Sequence, residues 1–189
     1  MSAVRWLVSL ALWCVISTAV ARDIEGIPVS ETVTLADTPL VLNGAGVRKK
    51  FFVKVYVGAL YLPKKETRAQ SIIVSAGAKS VRLHILYAEL DSQKLADAWT
   101  DGIKANHGDT EFQALVPRLT QFNGLFRTVR RGDTIRVDLM PNGETHVMIN
   151  EEMRGVVSGA DFQRALLTIW LGEKPVDENL KQALLGGIR

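Results

Sequence analysis

The chain has 189 residues, 47% of them hydrophobic, with a formal net charge of +3 and one cysteine. That length suits one domain with a full core. The small positive balance argues against a nucleic-acid partner, and the densest basic spot, Arg127-Thr128-Val129-Arg130-Arg131, reads as a solvated turn before Gly132-Asp133.

The N-terminus reads as a cleavable leader. Arg5 precedes an apolar run from Trp6 to Ile16, too short for a membrane span of about 20 apolar residues. Ala19 and Ala21 supply small side chains at alternate positions, so cleavage is expected after residue 21, releasing a domain of residues 22–189. Trp13 before Cys14 argues against lipoprotein processing, which needs a small side chain there. The expected product is periplasmic, has no stable membrane anchor after cleavage, and has no cysteine for a disulfide, thiolate metal site or nucleophile.

Strands dominate the first half of that domain. Thr32–Leu35 and Leu40–Leu42 are short β-prone runs around the turn Ala36-Asp37-Thr38-Pro39. In the longer run Phe51–Leu62, apolar Val53, Val55 and Val57 alternate with Phe52, Lys54 and Tyr56, which therefore belong to the opposite face. Ser71–Ser75 and Val81–Tyr87 complete the group. A helical period follows: Asp91 or Ser92 caps a helix with Leu95, Trp99 and Ile103 on one stripe, ended by Asn106-His107-Gly108. Thr110 and Gln113 read as a capping box for a second helix, which Pro117 should kink or restart.

Strands return at Thr134–Met140, Glu144–Asn150 and Met153–Val157, with a hairpin turn at Pro141-Asn142-Gly143. Ser158 to Asp161 forms another capping box before a helix that Gly172 and Pro175 end, and a short helix over Asp177–Leu185 closes the chain. This order predicts an α+β fold with helices packed on an antiparallel sheet. Trp99, Trp170, Phe122 and Phe126 are at helical spacing and read as core.

Familiar catalytic patterns are absent. His84, His107 and His146 are scattered and read as structural, so no metal is expected, and no cofactor. Gly44-Ala45-Gly46 lacks the third glycine and the following helix of a dinucleotide loop.

The stretch from Leu42 to Leu62 carries Gly44-Ala45-Gly46-Val47-Arg48, then Lys50-Phe51-Phe52-Val53-Lys54-Val55-Tyr56 and Gly58-Ala59-Leu60-Tyr61-Leu62. It resembles the chalcone isomerase fold family. The likeness continues through Leu95–Trp99, Phe122–Phe126, Gly132-Asp133, Gly159–Phe162 and Ala165–Gly172, and is nearest to the exported bacterial branch. It implies an open-faced β-sandwich, a large antiparallel sheet covered on one side by helices, with a ligand cleft between them.

Arg48 matches the family's pocket arginine, which stabilises negative charge on the substrate oxygen in the isomerases and grips a carboxylate in the fatty-acid binders. Tyr56 stands where the isomerases carry threonine and the fatty-acid binders tyrosine. The isomerases' tyrosine at the start of the Asp91-Ser92 helix is replaced by Asp91, for which Tyr87 could substitute only if its ring turned into the cleft. Lys54 is either a second cationic contact or a solvated lysine. The resemblance therefore implies a non-catalytic binder of a small amphipathic or aromatic ligand, a fatty acid for example, held by Arg48 and Tyr56 with Lys54 and Tyr87 as further candidates. The alternative is an intramolecular lyase of chalcone isomerase type acting on an enone, with Arg48 as its catalytic cation. Protein partners are not specified by the sequence.

Overall fold

The computed structural model describes residues 21–187; the leader assigned to residues 1–21 lies outside them except for Ala21. Among the described residues, eleven strands and five helices follow one another. The first half holds β1 (Ala21–Ile24), β2 (Ile27–Ser30), β3 (Thr32–Leu35), β4 (Thr38–Lys50), β5 (Val53–Leu62), α1 (Ala69–Val74), β6 (Lys79–Ile85) and β7 (Glu89–Leu90). The second holds α2 (Ser92–Lys104), α3 (Asp109–Asn123), β8 (Val129–Arg130), β9 (Thr134–Leu139), β10 (Glu144–Ile149), β11 (Glu152–Ser158), α4 (Ala160–Leu171) and α5 (Glu178–Leu184).

Seven strands form one antiparallel sheet in the order β11-β10-β9-β6-β5-β4-β3. Its interior strand β5 is buried on both faces from Val55 onward. Tyr56, Leu60 and Leu62 join the large core beneath α2, α3 and α4, where Trp99, Phe122, Phe126, Phe162 and Trp170 pack mostly edge to face. Val57, Ala59 and Tyr61 face a smaller core with Val29, Leu40 and Leu42, closed by the β1–β2 hairpin. The expected α+β architecture, helices on one face of a large antiparallel sheet, is the observed one.

Two register shifts aim the side chains of β4 and β5. Asn43 is an extra residue between the pairs Leu42/Tyr61 and Gly44/Leu60. Val55 is the extra residue between Arg48/Tyr56 and Lys49/Lys54. A bulge resets strand alternation, so Val55 and Tyr56 both join the helix-side core while Lys54 turns away to pair with Glu25 at 2.6 Å. Simple alternation had put Lys54 on the face of Tyr56, and the bulge separates them.

Other local expectations change as well. Ser71–Ser75, β-branched enough to read as a strand, instead forms the end of α1 and its cap, Ser71–Val74 being helical with Ile72 and Ile73 buried and Ser75 the C-cap. Tertiary packing outweighs propensity there. Neither expected capping box forms: α3 starts after Gly108 and α4 after Gly159, both without a side-chain cap. Asp161 instead makes a bidentate pair with Arg118, which holds its carboxyl down to about 2. Helix α3 is not restarted at Pro117 but continues to Asn123. Asp91 does cap α2, accepting from the backbone N–H of Gln93 at 2.8 Å.

Candidate functional site

Pairing of β4 with β5 sets Arg48 directly opposite Tyr56. The guanidinium carbon lies 5.6 Å from the centre of the phenol ring, within cation–π range. Tyr56 is buried, and its hydroxyl accepts a hydrogen bond of 2.9 Å from Nε1 of Trp170 on α4. An indole N–H can only donate, so the phenol oxygen is the acceptor and its own proton is left to donate elsewhere. It donates no hydrogen bond among the described residues. Burial raises the phenol pKa, with Arg48 and the indole N–H opposing and Asp177 adding to the rise. Tyr56 is therefore a neutral donor at physiological pH.

Two more donors close by lack partners. Nε of Arg48 and Nε1 of Trp99 are both buried without a hydrogen bond. Arg48, Tyr56 and Trp99 line one small chamber of about 50 Å³, walled by Leu95, Ala98 and Ile169. Buried donors without acceptors are costly, each by about 1–3 kcal/mol, and such a group in a folded protein asks for an explanation. An oxygen-bearing acceptor seated in this chamber would satisfy them.

The chamber adjoins a larger cleft of about 450 Å³ between the β4–β5 hairpin and α2; Arg48, Leu90, Lys94 and Ala98 line both. Phe51, Val53 and Val55 give the cleft an apolar wall, while Lys50, Lys94, Asp97 and Asp101 stand around it. Its size falls within the range of small-molecule sites. Tyr87 is at this outer cleft, 41% exposed, and away from the inner chamber. Lys54 lines neither space. Asp91 is engaged as the α2 cap. The four candidate residues thus divide: Arg48 and Tyr56 share the chamber, Tyr87 borders the mouth, and Lys54 is on the far side of the strand.

Trp99 and Trp170 were legible only as core residues, because helical spacing reports burial and not the direction of an indole N–H. A larger concavity, about 890 Å³ between α1, α3 and α4, has a polar rim that includes His107, Glu111 and Arg164. His107 there spends Nδ1 on the Ile103 carbonyl at 2.7 Å, and no unpartnered buried donor lines it. Among the described residues, no group of three or more His, Cys, Asp or Glu side chains could hold a metal ion.

The family model of chalcone isomerase-like proteins matches residues 21–186. The chain belongs to the chalcone isomerase-like family. No curated protein matches it in sequence. Among solved structures, an Arabidopsis thaliana fatty-acid binding protein superimposes with a TM-score of 0.72 at 19% identity, covering 89% of this chain and 96% of that one. At that identity the likeness establishes the shared fold. Within this chalcone isomerase-like chain, Arg48 of β4 lines both the outer cleft and the inner chamber, Tyr56 of β5 lines the chamber, and α2 contributes residues to both.

Proposed function

We propose that this chalcone isomerase-like protein binds a small amphipathic acid, a fatty acid for example, as a non-catalytic carrier or sensor. The carboxylate sits in the inner chamber against Arg48 and the Tyr56 hydroxyl, and the apolar chain runs along the outer cleft. One observation carries the reading: Arg48 and Trp99, each with an unpartnered buried N–H, line one chamber together with Tyr56, beside a partly apolar cleft. A carboxylate offers up to four acceptor positions to such donors, and a guanidinium bonds it with charge assistance. The fold shared with a protein described as fatty-acid binding adds support. Asp91, spent on capping α2, supplies no phenol for isomerase chemistry.

Titration with a series of fatty acids, together with mass spectrometry of natively purified protein, tests this. R48A should weaken acid binding roughly tenfold or more, the loss expected for a hydrogen bond to a charged group. Absence of any acid binding by the wild-type protein, or equal affinity in R48A, overturns the reading. The isomerase alternative makes the opposite claim, that the wild-type protein speeds loss of chalcone absorbance and R48A does not; equal rates are expected. We also propose that the protein is exported and works in the periplasm after loss of residues 1–21, which N-terminal sequencing of protein from an envelope fraction would check by a start at Arg22.

A further inference from the structure

The tip of the β4–β5 hairpin is built against the usual rules for a turn in water. Phe51 and Phe52 form its two-residue loop and are 89% and 100% exposed. Phe51 also takes φ +56°, a conformation that costs a bulky residue and that glycine would adopt freely at the first position of such a turn. Six large apolar side chains are exposed among the described residues, and four of them, Phe51, Phe52, Val53 and Tyr87, gather at this end of the molecule. That concentration makes the tip one patch and not a scatter of surface residues.

Cations stand behind the aromatics. Lys49 and Lys50 are the last residues of β4, and Arg131 lines the hollow beside Phe52 and Tyr87. None of the three has an acidic partner within ion-pair distance among the described residues, whereas Lys54 is neutralised by Glu25. The order along the hairpin is therefore apolar at the apex and positive about one residue step, or about 3 Å, behind it. A bilayer with anionic headgroups has the complementary layering: negative charge at its surface and hydrocarbon just below.

We propose that the Phe51-Phe52 tip docks on an anionic lipid bilayer, with the two rings entering the headgroup–acyl boundary and Lys49, Lys50 and Arg131 held over lipid phosphates. Lys50, Phe51 and Val53 also line the mouth of the cleft, so a docked molecule would have that mouth at the bilayer surface. The docking surface does not depend on the acid-binding reading, since none of its cations or rings reaches the inner chamber.

Co-sedimentation with vesicles of mixed phosphatidylglycerol and phosphatidylcholine, against phosphatidylcholine alone, tests the proposal. The wild-type protein should bind the anionic vesicles, lose that binding as salt shortens the range of the charge attraction, and bind phosphatidylcholine vesicles far less. F51S/F52S should lower partition roughly tenfold or more, because two buried rings are lost, with an unchanged melting temperature showing that the fold is intact. The two proteins share every other residue, so any leader contributes equally to both. K49Q/K50Q should weaken binding most at low salt. No binding of the wild type to anionic vesicles, no preference for them over phosphatidylcholine, or undiminished binding by F51S/F52S overturns it.

Discussion

The two ends of the β4–β5 hairpin are opposites. At the base, α5 lies so close to β4 that a methyl group on Gly44 would collide with the carbonyl oxygen of Ala183, and one on Gly46 would stand 2.6 Å from the Ala183 Cβ. The extra residue Asn43 ties this end together, donating to the Leu184 carbonyl at 2.7 Å and the Glu66 carbonyl at 2.9 Å while accepting from the Glu66 N–H at 2.8 Å. At the tip, two phenylalanines contact little besides solvent. One pair of strands thus joins a region where shape is fixed by backbone contact to one where nothing in the fold holds the side chains. Arg48 and Tyr56 lie between these ends.

Substitutions at the two ends should therefore behave differently. G44A, which drives a methyl group into backbone and not into a yielding side chain, should lower stability by about 3 kcal/mol or more. Denaturant titration measures this, and a loss under 1 kcal/mol would mean that α5 can move away and that the base is no more fixed than the tip. N43A should cost about 2 kcal/mol by leaving the Leu184 and Glu66 groups unpaired; the same titration would expose a neutral outcome.

The closed end also buries a cation. Lys79, 3% exposed, donates to the carbonyls of Ser75 and Gly77, and burial lowers its pKa to about 8. Between that value and the unfolded value of about 10.4, the unfolded chain holds a proton that the folded one has released, so stability should rise with pH across this window. Tyr56, its pKa raised, works in the other direction above about 10. Melting temperatures taken from pH 7.5 to 9.5 should climb in the wild type and climb less in K79M. The smallest effect belongs to the tip: F51G, relieving a positive φ, should gain up to about 1 kcal/mol. A clear loss of stability in F51G would show that the ring does pack on the fold.

Much of this fold can be read from the chain because alternating strands and four-residue stripes report which faces are buried. Val81–Ile85 and Leu95–Trp99–Ile103 are clear cases. The misreadings have physical causes. Ile72 and Ile73 fit a strand or a short buried helix equally well, and packing beside α4 decides for the helix. The Val55 bulge, which separates Lys54 from Tyr56, arises from the pairing of two strands and leaves no mark on either alone. Arg48 and Tyr56 could be picked out through family resemblance, and Asp91 through its capping position. Trp170 and Trp99 could not be identified as chamber donors, since the first bonds a residue 114 positions away and the second is distinguished only by a bond it lacks.

The placing of those two indoles has an optical consequence. The chain has four tryptophans, and Trp6 and Trp13 fall in the segment proposed to be cleaved. The other two, Trp99 and Trp170, stand 5.7 Å apart beside the chamber, one bonded to the Tyr56 hydroxyl and the other with its N–H unspent. In a protein cleaved as proposed, all tryptophan emission would come from this spot, so the molecule would carry its own reporter of whatever enters the chamber, with no dye or label attached.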